Sequence, residues 1–535
     1  MRPPNSKANF GRTCFIALLA GHSLVQAATW PNHLIDELDA NLYDRRGYKL
    51  RSLPAGMSPR CTRFAGNIPG GRTNAADWIR AAFHDMATYN IADGTGGLDA
   101  SIRFPEEQNR PENTGDGFMN TIIFISPSSN RYFSLADTIA MAMVTAVEMC
   151  GGPKIPYRGG RIDALQPNSP GVPEPQQSIE EHIASFARQG FTKADMIGLT
   201  ACGHSIGGVQ NIAFPDIVPP SSDQSNPQGN VNFDSTGVLF DNKIATEYLD
   251  GTTQNPLVVG RNSTTNSDFR IFNSDNNVTM SKYPAVFRSK CAELLARMVD
   301  TVPKEVTLTD VIQPILFKPV GVQLIWVGGG NLALTGEVRV WNALPSRVTV
   351  KWKARDGRSD PAFSAVLKHD TSHTSDPLMP DSTITNRWLD FPSILISSTQ
   401  SLSSLSFEVL NADGTTKVED LGGAGYPLQD VIMVANTTCM SPTDVKVRFA
   451  IRADIQPIRV YAKTDMFDET RRPTVVTTEV APPSNPTIVA GYTLWEVALM
   501  SASHLTLAVD TGGKTYETPF IGNGSPLGPS LPKCP

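Results

Sequence analysis

The chain has 535 residues and a formal net charge of −6, with 40% hydrophobic and 18% charged residues. That length exceeds what a single core normally serves, so two or three domains are expected. The acidic balance offers no electrostatic footing for nucleic acid.

The N-terminus, residues 1–27, reads as a secretory signal. Arg2, Lys7 and Arg12 precede the apolar run CFIALLAGHSLVQA, which is too short to span a bilayer, and Val25-Gln26-Ala27 forms the cleavage site. The competing reading is a buried N-terminal helix. No later stretch resembles a membrane span, so a secreted, extracellular protein without a membrane span is expected. In an oxidising compartment Cys61, Cys150, Cys202, Cys291, Cys439 and Cys534 are expected as disulfides, with the pairing left open by the sequence. Glycosylation sequons at Asn262, Asn277, Asn436 and Asn523 agree with secretion.

In chain order, NHLIDELDANLYD gives a short helix. Residues 74–87 give another, with Asn74 as its N-cap, Asp77 in its first turn and Trp78, Ala82 and Phe83 as apolar contacts. Arg80 and His84 are four apart and share one face of it. Taken alone, such a pair is more often a solvated face or a satisfied core histidine than a site. The following loop brings Asp85, Asp99 and Ser101 together with a backbone carbonyl at Gly97, an oxygen-only set that suits Ca²⁺. Its competing reading is a turn-rich loop with acids facing water.

The segment SLADTIAMAMVTAVEMCGGP is apolar nearly all round and has capping-box spacing at Ser134 and Asp137, so it reads as a central buried helix whose methionines are packing residues. After a loop, SIEEHIASFARQG and TKADMIGLTACGHSIGG are helical. The second starts at Thr192 and Asp195, ends at Gly207-Gly208, and carries His204 at its C-terminal end. Residues 215–232 read as an exposed loop, and VLFDNKIATEYL and KYPAVFRSKCAELLARMVDT as further helices.

Beyond residue 305 the period changes. VGVQLIWVG, GEVRVWN, RVTVKWKARDG, SLSFEVLNADG, DVKVRFAIRAD, PIRVYAKTD, TVVTTEVAP and LTLAVDTGG alternate apolar and polar residues between Gly, Asp-Gly and Pro turns. The expected architecture is a mainly α domain over 28–305 and an all-β, antiparallel sandwich-like region over 306–535, with the boundary near 303–318. In the β-region, Trp326, Trp341, Trp352, Trp388 and Trp495 are expected as strand core rather than a sugar platform. His369, Asp370 and His373 raise a metal site only against a plainer reading as polar loop.

Arg80-Ala-Ala-Phe83-His84-Asp85, with Gly96-Gly97-Leu98-Asp99-Ala100-Ser101, resembles the distal motif of the plant-type haem peroxidase superfamily. The long interval between His84 and Gly97 resembles its secreted fungal members. Arg103-Phe104 and the run from Asn109 to Gly115, containing Asn113, are similar to the family's distal asparagine segment. SLADTIAMA and GGPKIPYRGGRIDA resemble its central helix and the loop after it, CGHSIGG its proximal motif, and Asp234 to Asp241 its proximal calcium loop. The resemblance covers about residues 60–295 and leaves the β-region aside.

The resemblance implies haem b held by His204 as the iron ligand, and two Ca²⁺ sites. One would use Asp85, Gly97, Asp99 and Ser101, the other Ser205, Asp234, Thr236, Leu239 and Asp241. It implies that a carboxylate holds the other ring nitrogen of His204; Asp268 matches the family's position best, with Asp275 as a rival. On the distal side His84 would move a proton between the two oxygens of hydrogen peroxide, Arg80 would stabilise developing negative charge, Asn113 would fix the tautomer of His84, and Phe83 would shield the haem. The partners implied are hydrogen peroxide and a small reducing substrate giving one electron at a time. A monomer is expected.

The family also suggests a Cys61–Cys150 disulfide, which leaves Cys202 with Cys291 and Cys439 with Cys534. No trio of acids matches the family's manganese site, and no tryptophan lies between Trp78 and Trp326, so neither a surface relay tryptophan nor one beneath the haem is present. A generic peroxidase acting on phenolic-type donors is therefore expected. The alternative is a non-catalytic scaffold whose β-region binds cell-wall polymer or protein, which the presence of Arg80, His84, Asn113 and His204 speaks against.

Overall fold

The helical half is built around Leu135–Met149, whose residues are buried from Leu135 through Glu148. In the computed structural model, which describes residues 32–44, 61, 72–371, 385–500, 504–522 and 531–535, this helix packs against the distal helix Asn74–Met86. The expected signal segment, Asn523 and His373 lie outside the described residues. Ser134 caps the central helix by accepting from the Asp137 N–H at 3.0 Å. The reciprocal half of the capping box is absent, because the Asp137 carboxylate instead accepts from Gly160 N (2.8 Å) and from Arg161 (2.9 Å).

The distal helix is capped by Thr73, not by Asn74. Thr73 is extended, with φ −131°, and its hydroxyl accepts from Ala76 N at 3.2 Å, while Asn74 is already the first helical residue. The proximal helix Lys193–Gly203 has the expected capping box between Thr192 and Asp195. It stops earlier than Gly207-Gly208 because Gly208–Gln210 leaves as a strand pairing with Asn230–Asn232. His204 is therefore its C-cap. The long helix Tyr283–Val299 packs on the proximal helix and is bonded to it by the Cys202–Cys291 disulfide. Cys61–Cys150 and Cys439–Cys534 are the other two disulfides, as expected. Among the described residues no helix is long and apolar enough to cross a membrane.

The change of period corresponds to a change from helices to antiparallel strands. Residues 301–316 have no regular structure of their own and lie along the helical half: Leu98 N donates to Thr301 O (2.8 Å), Thr309 N to Gly159 O (2.9 Å) and Ile312 N to Tyr157 O (2.9 Å). Strands begin at Phe317–Gly328. Among the described residues these strands pair antiparallel, in four sheets of five strands beyond the small pair at 208–232.

The β-region buries two cores rather than one. The first unites the sheet containing Phe317–Gly328 and Asn331–Trp341 with that containing Arg347–Lys353 and Ser404–Leu410. The second unites the sheet containing Val445–Arg452 and Tyr492–Leu499 with that containing Arg459–Phe467 and His504–Asp510. Alternate side chains point into each core, as in Arg347–Lys353 with Val348, Val350 and Trp352 inward. The five β-region tryptophans are buried, Trp352 and Trp495 being the most exposed at 9%. His369 is an exposed strand residue.

The halves are joined by charge as well as by packing. The first helix, His33–Tyr43, presents Asp36 and Asp39, with Asp44 at its end, to Lys318 and Arg339 of the first sandwich. Arg131, just before the central helix, donates to Asp465 of the second sandwich at 2.6 Å. Neither contact was legible in the sequence, where this segment reads only as a short helix.

Candidate active site

The distal side is assembled from one helix and one loop. His84, on the helix Asn74–Met86, has its Nδ1 2.7 Å from Asn113 Oδ1. Asn113 is itself held by its Nδ2, which donates to Glu107 O at 2.8 Å. With Nδ1 occupied as a donor, Nε2 is left as the basic nitrogen. Burial above all, and then the Arg80 charge, holds His84 well below the ordinary histidine value. It is therefore neutral and able to accept a proton.

Arg80 lies one turn earlier. Its guanidinium donates to Thr114 O at 2.9 Å and sits 4.5 Å from the centre of the Phe118 ring. Burial lowers its pKa to about 10, so it stays cationic. Phe83 stands edge-on to His84 and packs on Phe186. Phe118, 4.8 Å from the His84 ring, and Glu107 were missed by sequence reasoning. No sequence signal marks either: Glu107 holds Asn113 through its backbone carbonyl, and Phe118 is an ordinary apolar residue of the helix Gly117–Ile125.

The proximal side is equally ordered. His204 Nδ1 lies 2.9 Å from Asp268 Oδ2, which also accepts from Asn255 Nδ2 at 2.8 Å. Asp268 is fully buried. The rival Asp275 is engaged elsewhere: its carboxylate accepts from Thr279 N (3.0 Å) and from the Thr279 hydroxyl (2.5 Å), closing a local turn. The His204 ring stacks on Phe233 with centroids 4.2 Å apart and planes 10° apart. Phe233 immediately precedes Asp234, and thus ties the imidazole to the proximal loop. Among the described residues His204 Nε2 makes no hydrogen bond, and the side chain is 32% exposed. Two imidazoles are thus each fixed through Nδ1, and each presents Nε2. This donor set fits haem, which His204 would hold through Nε2, leaving His84 Nε2 to handle a proton.

The two oxygen-rich loops differ. At the distal loop the Asp85 carboxylate accepts from the N–H groups of Asp99 (2.9 Å), Ala100 (2.7 Å) and Ile102 (2.9 Å), so it organises the loop that follows it. Asn168 Nδ2 lies among the remaining oxygens, 2.9 Å from Asp99 Oδ2, 2.9 Å from Ser101 Oγ and 3.3 Å from Thr88 Oγ1. Gly97, with φ +107°, packs so tightly on Thr301 O that a Cβ would come within 2.8 Å of it. Burial and the mutual proximity of the acids push Asp85 well up, and burial pushes up Asp99.

At the proximal loop the Thr236 hydroxyl bridges Asp234 Oδ1 (3.3 Å) and Asp241 Oδ1 (3.0 Å). Asp234 Oδ2 is buried without a hydrogen-bond partner, and burial raises that acid to about 7. Ser205 is buried beside His204, its hydroxyl on Cys202 O at 2.9 Å, and Leu239 N closes a turn on Thr236 O at 2.7 Å.

Residues 63–288 match the family model described as peroxidase. A WSC domain-containing protein of Arthroderma benhamiae is 41% identical over 353 residues, covering 64% of this chain and 48% of that protein. The chain thus spans about half the length of that relative, and the likeness runs past residue 288 into the β-region. Peroxisomal L-ascorbate peroxidase 5 of Arabidopsis thaliana is 29% identical over 244 residues, 44% of this chain and 81% of that protein. Mitochondrial cytochrome c peroxidase of Yarrowia lipolytica is 32% identical over 135 residues, 24% of this chain and 39% of that protein. With two anchored histidines, an arginine one turn from His84 and an Asn113 clamp in the segment so matched, residues 63–288 form a peroxidase domain of the plant-type haem peroxidase superfamily.

Proposed function

We propose that the protein is a secreted, monomeric haem peroxidase that reduces hydrogen peroxide and draws single electrons from small organic, phenolic-type donors. The observation that carries this reading is the pair of histidines whose Nδ1 atoms are fixed by Asn113 at 2.7 Å and by Asp268 at 2.9 Å. Haem, when bound, supplies the redox-active iron at which the O–O bond is broken. His204 would hold it through Nε2, and the buried carboxylate of Asp268, accepting from Nδ1–H, makes Nε2 a stronger electron donor. His84 Nε2 takes the proton of the attacking peroxide oxygen and passes it to the departing one. Arg80 supplies positive charge beside the breaking bond, and Phe83 and Phe118 limit water around the imidazole.

Ca²⁺ fits the proximal loop best, where Asp234 Oδ2 is an orphaned buried acceptor beside Thr236 and Asp241. At the distal loop a cation would require Asn168 to turn its amide and offer Oδ1 in place of Nδ2. Exposed Asn262 and Asn436 suit glycosylation better than Asn277, which is half-buried. A scaffold that binds cell-wall polymer gains no exposed tryptophan face, since all five β-region tryptophans are buried.

The test is full-length protein loaded with haem and assayed with hydrogen peroxide against phenols, dyes, ascorbate and Mn²⁺. A Soret band with turnover of phenols supports the reading. Protein that takes up no haem overturns it, and turnover confined to ascorbate or Mn²⁺ overturns the donor class.

A further inference from the structure

The hairpin formed by Arg459–Phe467 and Pro473–Glu479 in the second sandwich reaches the helical half at two separate points. At its tip, the Asp468 carboxylate accepts from Thr470 N (2.9 Å), the Thr470 hydroxyl (2.8 Å) and Arg472 N (3.0 Å), so the turn is internally fixed. The Thr470 hydroxyl, having given its proton to Asp468, accepts from Arg103 Nε at 3.2 Å. Further down the same strand, Asp465 accepts from Arg131 Nε at 2.6 Å and from Arg131 N at 3.2 Å, and Arg131 also donates to Lys463 O at 3.1 Å.

Both arginines lie next to elements that position His84. Arg103 is 3% exposed and ends the short turn Ser101–Arg103; it donates to Ala100 O at 2.8 Å and to Ala164 O. The N–H groups of Asp99, Ala100 and Ile102 in that loop grip the carboxylate of Asp85, the residue after His84. Arg131 stands just before Ser134, the cap of the central helix on which the His84 helix packs.

We propose that the second sandwich acts as a brace for the distal pocket, with Thr470 and Arg103 as positioning residues that hold the 97–104 loop and, through Asp85, the place of His84. The proposal rests on the peroxidase reading for its kinetic consequence, and on geometry alone for the loop. It gives the C-terminal region a role in the reaction without any contact with peroxide or donor. A flexible loop would let Asp85 relax, and a His84 displaced by a fraction of an ångström loses the alignment that proton transfer needs.

The test uses full-length Thr470→Val and Thr470→Ser proteins. Hydrogen exchange of residues 97–104, read by mass spectrometry without any need for haem, is expected to quicken about 5-fold in Thr470→Val, which loses the hydroxyl's bonds to both Arg103 and Asp468 beside a locally opening segment. In haem-loaded protein the rate constant for reaction with peroxide is expected to fall roughly 3-fold while the donor step is unchanged, since only His84 is displaced. Thr470→Ser restores both. Unchanged exchange at 97–104 in Thr470→Val overturns the brace, as does faster exchange with an unchanged peroxide step. Failure of the unaltered protein to bind haem would instead sink the peroxidase reading, and the exchange measurement would still decide whether the hairpin holds the loop.

Discussion

Asp268 Oδ2 accepts at once from His204 Nδ1 at 2.9 Å and from Asn255 Nδ2 at 2.8 Å, in a fully buried position. A carboxylate so placed cannot swing away to solvent, and its charge is spent on the imidazole. Asp268→Asn keeps the shape and removes that charge, so the reduction potential of the bound iron should rise and turnover should fall by about 10-fold or more, the scale typical for a partner that orients a metal-bound histidine. Asp275→Asn should leave both unchanged, because that acid serves Thr279. Redox titration of the two variants checks this. A rise in Asp275→Asn with none in Asp268→Asn would reverse the assignment.

His84 supplies the second test. Its replacement by Ala removes the base while leaving His204 in place, so the Soret band should persist and the peroxide reaction should slow by roughly 10²- to 10⁴-fold. The pH dependence follows from burial, which holds the folded-state value of His84 well below the ordinary one. The base form is the neutral form, which exists above the pKa. The acid limb of the peroxide reaction should therefore lie below the ordinary histidine range, with a flat rate through neutrality. Stopped-flow rates across pH check it, and a limb centred in the ordinary range would show that the imidazole is more solvated than its burial indicates.

The sequence made the active-site half legible because its chemistry is local. Arg80 and His84 sit one helical turn apart, Asp85 is adjacent, and Thr192 and Asp195 announce the helix that ends at His204. Residues whose role depends on distant partners were not legible. Asn168 is an ordinary loop asparagine until the fold brings it to Asp99 and Ser101, 69 and 67 residues away. Phe233 is one aromatic among 23 phenylalanines until it stacks on His204. The division of the β-region into two cores was hidden for a related reason. Period-two alternation tells which face of a strand is buried but not which sheet it faces.

The proximal loop leads to a prediction about cations. Asp234 Oδ2 is buried with no partner, an arrangement that costs stability unless something positive meets it. Added Ca²⁺ should raise the melting temperature of the protein, a gain that grows with the logarithm of free cation. Chelation should reverse it. Asp234→Asn should abolish the response while removing the buried charge. Calorimetry with and without Ca²⁺ checks this, and a melting temperature indifferent to Ca²⁺ in the unaltered protein would exclude the site.

Glu148 gives a stability prediction remote from the chemistry. It lies at the end of the central helix, where burial raises it from 4.5 to about 7 despite a hydrogen bond from Ile155 N at 2.9 Å. A raised acid binds its proton more tightly in the folded state. Its contribution is thus fully present below the unfolded value of 4.5 and is lost as pH rises through about 7. Glu148→Gln keeps the acceptor for Ile155 and cannot ionise. It should be neutral near pH 4 and stabilising at about pH 8, by up to roughly 3 kcal/mol. Denaturant titrations at both pH values check it. Equal stability of the two proteins at the higher pH would mean that Glu148 ionises without cost.

The junction between the halves rests on Arg339, which has no exposed side-chain surface and donates to Asp39 at 2.9 Å and to Asp44, while Lys318 reaches Asp39 at 2.7 Å. The attraction between these groups is offset by the cost of drying them, so the cluster as a whole adds little net stability. Breaking it is another matter. Arg339→Met leaves the buried carboxylates of Asp39 and Asp44 without the guanidinium that bridges them, and should destabilise the protein by about 3–5 kcal/mol. Adding Asp39→Asn and Asp44→Asn to that variant removes the uncompensated charge and should recover much of the loss. Because the cluster joins the first helix to the first sandwich, the single variant should also separate unfolding of the β-region from that of the helical half, where the unaltered protein is expected to unfold in one transition. Differential scanning calorimetry of the three proteins distinguishes these outcomes. A single variant that melts like the unaltered chain would mean that packing alone holds the two halves together.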